Sequence, residues 1–156
     1  MINDLINIMN YENIYLIANW GVIPFWLLLI IFPNNNLTNF FVQSIIIPLI
    51  LAIAYCFVGY KIYLEGNIFD GFELYNGLEG LYSMFSNDAF LLIFWLHFLA
   101  LSLFLGAWIS RDAYKFMIPK FFLVISLIVT YFTGPVGLLI YWFIRIFFAK
   151  KISFND

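Results

Sequence analysis

The chain alternates long apolar runs with short polar breaks. No Asp, Glu, Lys or Arg occurs from Asn13 to Tyr60. A second charge-free run covers Ala89 to Ser110, and a third covers Phe121 to Trp142 and ends at Arg145. A helix needs about 20 residues to cross the hydrocarbon of a bilayer. The first run therefore holds two crossings, separated by the polar, turn-forming Pro33-Asn34-Asn35-Asn36. The pattern predicts four helices, roughly 14–32, 39–63, 89–110 and 119–148. The runs are continuous and lack the period of two that marks barrel strands, so helices are expected.

Local chemistry supports these boundaries. Asn87 or Asp88 suits the cap of the third segment. Pro119 suits the first turn of the fourth, where a missing N–H is harmless. Pro24, Pro48 and Pro135 fall inside segments one, two and four, and each should bend its helix. The fourth segment, about 45 Å if straight, must tilt or kink, with Gly134-Pro135-Val136-Gly137 as the place. Trp20, Trp95, Trp108 and Trp142 lie near segment ends, as an interfacial aromatic belt requires. Between segments two and three, Leu74, Leu78, Leu81 and Phe85 recur at helical spacing among acids. This predicts a short amphipathic helix lying in the interface.

Composition agrees. Apolar residues make up 65% of the 156 residues and charged ones 10%, against roughly 45–50% and 25% in soluble chains. Mean hydropathy is +0.97. The expected fold is all-α: an integral membrane four-helix bundle with one short interfacial helix, forming a single transmembrane domain over residues 1–156. The N-terminus lacks a basic stretch, so no removable signal peptide is expected. The net charge of −2 argues against nucleic acid. The lone Cys56 makes no internal disulfide.

Four crossings put both termini and the second loop on one side, with Lys61, Arg145, Lys150 and Lys151. The other side carries Arg111, Lys115 and Lys120. Four cations against three leave the orientation open under the positive-inside rule.

Polar side chains at membrane depth call for a reason. His97, the single histidine, sits eight residues into the third segment, about 12 Å from its end at 1.5 Å per residue. Asn19 lies at similar depth on the first segment, Arg145 near the end of the fourth, and Glu79 in the loop above. Together they mark a candidate site. Competing readings are a hydrogen-bonded packing histidine, an Arg145 that snorkels to the interface, a solvated Glu79 and an Asn19 that bridges helices. Trp108 and Asp112 share the helical stripe of His97 and join the substrate-binding candidates, although Asp112 also suits a local ion pair with Arg111 or Lys115. No phosphate loop, dinucleotide fingerprint or CxxC is present. One His and one Cys make no usual zinc site, and a carboxylate-rich site with one His is only a weak metal signal, so no metal is assigned.

The ordered segments resemble the neoxanthin-synthase-like, or abscisic-acid-deficient-four-like, proteins of plants and bacteria. The residues that carry the likeness are Ala18-Asn19 with Ile23-Pro24-Phe25-Trp26-Leu27-Leu28, and Gly71-Phe72 with Leu78-Glu79-Gly80. Further along are Trp95-Leu96-His97-Phe98-Leu99-Ala100, Leu103-Phe104-Leu105-Gly106, Trp108, Arg111 and Asp112. Ile118-Pro119 and Gly134-Pro135-Val136-Gly137-Leu138-Leu139-Ile140-Tyr141 complete the set. The resemblance implies a four-helix membrane protein whose plant relatives turn the epoxy-carotenoid violaxanthin into allenic neoxanthin. One departure is Ser102, where the family has Asp five residues after the His.

The implied activity is a cofactor-independent isomerisation or epoxide opening on a carotenoid or related isoprenoid. It needs an acid on the epoxide oxygen and a base on a ring-adjacent proton. His97 and Glu79 are the catalytic candidates. Asn19 and Arg145 would orient the substrate or stabilise charge. The expected partners are the lipid bilayer and a hydrophobic carotenoid ligand, with self-assembly left open. The expected location is a bacterial inner membrane or a plastid-type membrane. A non-catalytic carotenoid- or lipid-binding subunit is the alternative, and a channel is the least favoured reading.

Overall fold

Helices account for every regular element in the computed structural model, which describes residues 10–66 and 68–150. Three helical stretches are long and apolar enough to cross a membrane: Tyr11–Ile31, Asn36–Leu64 and Asp88–Lys115. The chain divides into two compact units. One comprises Met1–Gly21 and Leu49–Ala100, the other Val22–Pro48 and Leu101–Asp156.

The first stretch is two helices in series, α1 (Tyr11–Gly21) and α2 (Ile23–Ile31), with Pro24 in the first turn of α2. A proline there gives up no helical hydrogen bond, so the break falls just before it. The second stretch begins with the short turn α3 (Asn36–Thr38), passes through a π-turn at Asn39–Gln43, and resumes as α4 (Ile46–Leu64). Pro48 explains the interruption. It offers no N–H to the carbonyl of Ser44, and its ring crowds that carbonyl. The chain reaches α4 through Ile45 in a left-handed conformation, φ 70°.

In the unit that contains α2, the turn after α2 is tied down by side chains. The last carbonyls of a helix lack internal partners. Lys120 Nζ donates to the Ile31 carbonyl at 2.6 Å, Thr38 Oγ1 to that of Phe32 at 2.7 Å, and Gln43 Nε2 to that of Pro33 at 2.8 Å. Asn35 caps α3 by accepting from the Leu37 N–H.

In the other unit, the expected single interfacial helix is two short helices, a 3₁₀ helix at Ile68–Asn76 and α5 (Leu78–Phe85). Gly80 lets them meet closely, because a Cβ there would strike the Glu73 carbonyl. Asn87 caps α6 (Asp88–Lys115), accepting from the Ala89 N–H at 2.9 Å.

The largest departure from expectation is the fourth segment. It is a hairpin of two short helices, α7 (Lys120–Thr133) and α8 (Pro135–Ala149), rather than one crossing helix. At 14 and 15 residues, each is about 21–22 Å long, short of the roughly 30 Å hydrocarbon core. The ring of Phe122, near the start of α7, lies 5.7 Å from that of Phe148, near the end of α8. The segment therefore turns back on itself, and a four-helix bundle with 119–148 as one continuous span is replaced.

Three residues make the reversal. Gly134 takes φ 56°, ψ −88°, which side chains with a Cβ resist. Pro135 cannot continue α7 and is preset to open α8. Gly137 then lies against Thr130, where any Cβ would strike the Thr130 hydroxyl and backbone nitrogen. Thr130 Oγ1 itself is held by the Ser126 carbonyl at 2.7 Å. The charge count changes with the fold. Arg145 and Lys150 return to the end of the hairpin that Lys120 opens.

Candidate functional site

Two constellations of the predicted residues stand out, one in each unit, and each is described by itself.

In the unit containing the hairpin, Asp112 near the end of α6 gathers polar groups from α8. Arg145 Nε donates to Asp112 Oδ2 at 2.7 Å, and its Nη2 reaches Oδ1 at 3.5 Å. Tyr141, one helical turn before Arg145, donates its hydroxyl to the same Oδ2 at 2.6 Å. Arg145 is 1% exposed and Asp112 11%. The Phe116 ring lies 4.6 Å from the guanidinium carbon, and Trp108 meets Tyr141 edge-on at 5.9 Å.

One expectation is extended here and one corrected. Asp112 pairs with Arg145, 33 residues away, a partner that the local reading did not name. Arg145 is buried in that pair rather than snorkelling. Both follow from the reversal at Gly134, which carries α8 back along α7. A buried guanidinium and carboxylate must satisfy each other. A bidentate approach with a phenol on the remaining lone pair does so. Trp108, Asp112 and Arg145 thus come together, although the sequence reading set Arg145 at the opposite membrane face from Asp112. Tyr141 and Phe116 complete the set, and sequence reasoning did not assign either a role in it. Their signal was helical spacing: Tyr141 and Arg145 are four apart, as are Asp112 and Phe116.

In the other unit, His97 lies on the exposed side of α6. Its ring stands 6.0 Å from that of Tyr55 on α4 and 6.4 Å from that of Phe94. Both neighbours also line a cavity of about 440 Å³. Its walls come from α4 and α6, among them Ile62, Phe90 and Ile93. Its cover comes from the short helices, with Leu74, Leu81 and Met84 turned to it. Phe85 stacks edge-on against Phe94 at 4.8 Å. Leu78, expected on this apolar face, is instead 84% exposed. Gly59 leaves room for Ile93, whose methyl would sit 3.4 Å from a Cβ there.

The remaining predicted residues are scattered. Glu79 is exposed on α5 and is absent from the cavity wall, and Asn19 is half-buried on α1. Arg145 is committed to Asp112, which lies fifteen residues beyond His97 on α6. Ser102, the departure from the resembled pattern, is buried at 6% exposure. Among the described residues, no three His, Cys, Asp or Glu side chains gather as a metal site requires.

No curated protein and no solved structure matches the chain. The model of one family, described as ABA DEFICIENT 4-like, matches residues 13–141. That span takes in most of α1, all of α6 and α7, and α8 as far as Tyr141. By this match the chain belongs to the ABA DEFICIENT 4-like family.

Proposed function

We propose that this protein acts within a membrane on a carotenoid or related isoprenoid lipid, by isomerisation or epoxide opening. One observation carries the reading: an apolar, aromatic cavity with His97 standing against two of its wall residues. A volume near 440 Å³ falls in the usual range of ligand sites, about 300–1,000 Å³. Apolar walls suit a polyene or its terminal ring. Imidazole, which exchanges protons near neutral pH, suits general acid or base work at the edge of such a cavity.

The reaction balances without a cofactor. An acid delivers a proton to the epoxide oxygen as the C–O bond breaks. A base removes a proton from an adjacent carbon, and that electron pair forms the new double bond. His97 serves one of these roles. Glu79, on the helix that covers the cavity, is the candidate for the other. Asn19 is retained as an orienting amide. Asp112, Arg145 and Trp108 are assigned to holding the hairpin, since Asp112 and Arg145 satisfy each other.

A second reading, binding without turnover, has its own support. Among the described residues, the cavity wall holds no charged side chain, and Glu79 lies outside it. Expression in carotenoid-producing bacteria, followed by pigment chromatography, separates the two. The catalytic reading expects a new pigment, lost in His97→Gln while pigment still co-purifies. Pigment retention with an unchanged profile in every carotenoid background would favour binding alone.

A further inference from the structure

A separate cavity of about 440 Å³ lies in the hairpin unit, where apolar helices end. Pro33 and Asn34 reach it from the turn after α2, Ser110 and Tyr114 from the last turns of α6, and Lys120 from the start of α7. Its other walls are apolar, Met117, Ile118 and Leu123 among them. Where spanning helices end is the level of lipid headgroups.

Ser110 is the anomaly. It is 1% exposed, and its hydroxyl has no hydrogen-bond partner among the described residues. A helical serine or threonine has an easy partner in the carbonyl four residues back. Ser126, Thr130 and Thr133 all use theirs, at 3.0, 2.7 and 2.8 Å. Ser110 does not. Buried hydroxyls are nearly always paired, so its partner is expected to come from outside the protein.

The surroundings say what that partner is. Lys120 gives one N–H to the Ile31 carbonyl, which pins its ammonium at the cavity while two N–H groups remain for other acceptors. The Asn34 amide and the Tyr114 phenol add donors. The first turn of α7 adds the positive end of its dipole. Among the described residues, no carboxylate lines the cavity. Arg111 lines an adjoining cavity that shares Asn34 and Tyr114. Donors, positive charge and an apolar flank describe a phosphate attached to an acyl chain.

We propose that this cavity binds a phosphate group, carried by the headgroup of an anionic phospholipid. The site is independent of the His97 cavity and of the function proposed for it.

The test uses the full chain purified in mild detergent and titrated with phosphatidylglycerol, phosphatidylcholine or inorganic phosphate, read by native mass spectrometry. Phosphatidylglycerol should bind more tightly than phosphatidylcholine. Lys120→Gln should weaken it about tenfold, the loss of one charge-assisted hydrogen bond. Ser110→Ala should also weaken binding, while the lipid-free variant melts no lower than the parent. That combination separates a ligand-binding hydroxyl from a structural one. Lys150→Gln, at an exposed lysine outside the cavity wall, should change nothing. Displacement of the lipid by inorganic phosphate would support the anion site and reassign its source to a free phosphate. Equal binding of the two lipids would overturn the proposal, as would equal losses in Lys120→Gln and Lys150→Gln.

Discussion

The two units treat their most prominent ionisable groups in opposite ways. The hairpin unit buries an ion pair and completes it: Asp112, Arg145 and Tyr141 satisfy one another at 2.6–2.7 Å. The other unit keeps its histidine exposed, beside aromatic rings and an apolar cavity. The charges divide similarly. The hairpin unit carries Arg111, Lys115, Lys120, Arg145 and Lys150, with Asp112 as its acid among the described residues. The other carries Glu12, Glu65, Asp70, Glu73, Glu79 and Asp88, with Lys61 as its cation among the described residues. The lesson is that burial alone does not mark chemistry. The Asp112 carboxylate is held by Arg145 and Tyr141, whereas His97 stands exposed beside two aromatic residues that line a ligand-sized cavity.

This contrast orders the expected effects of mutation. The largest belongs to Arg145→Met, which leaves the Asp112 carboxylate buried without its cation. Breaking one partner of a buried pair costs about 3–5 kcal/mol, so unfolding in detergent should shift accordingly. Restoring balance with Asp112→Asn in the same chain should recover part of the loss, which a double-mutant cycle would measure. Gly137→Ala comes next. Its methyl meets the Thr130 backbone rather than a flexible side chain, and overpacking of this kind costs about 1–3 kcal/mol. A cross-link between cysteines at Phe122 and Phe148 should form in the parent and slow in this variant. Cysteines at the same two positions that no thiol cross-linker can bridge in the parent would contradict the reversal. Tyr141→Phe removes one hydrogen bond to a charged acceptor and should cost about 1.5–3 kcal/mol at most. The smallest stability effect belongs to His97→Gln, with a melting temperature that does not move.

The same contrast bears on orientation. The sequence alone balanced the cations across the membrane because Arg145 and Lys150 were assigned to the far end of a crossing helix. The hairpin returns both to the end that Lys120 opens. The positive-inside rule then favours this end in the cytoplasm. A reporter fused after Lys150 should read cytoplasmic, and a periplasmic signal would contradict the count.

Much of the fold was legible. The stretches long and apolar enough to cross a membrane, Tyr11–Ile31, Asn36–Leu64 and Asp88–Lys115, follow from uninterrupted apolar length. Pro33 to Asn36 forms the turn its composition requires, and Asn87 caps α6 as its side chain allows. The hairpin was not legible, although Gly134-Pro135 was read as a weak point. Whether glycine and proline kink a helix or reverse it depends on what the next turn can touch. Here that is the contact of Gly137 with Thr130, a tertiary fact. The pairing of Asp112 with Arg145 inherits the same difficulty, since charges 33 residues apart meet only once the reversal is known. His97 and Arg145 stand out by depth and residue type, and Trp108 and Asp112 by sharing the helical stripe of His97. Their division into two constellations was not legible, because depth counted along straight helices placed Arg145 at the wrong end.

The most direct test follows His97→Gln and Arg145→Met through one paired assay, pigment conversion and melting temperature in the same carotenoid-containing membranes. The division of labour argued above expects His97→Gln to hold pigment and melt like the parent while conversion disappears. It expects Arg145→Met to melt far lower, and to convert pigment at the parent rate per folded molecule. Undiminished conversion by His97→Gln, or conversion lost in an Arg145→Met protein that melts normally, would contradict it.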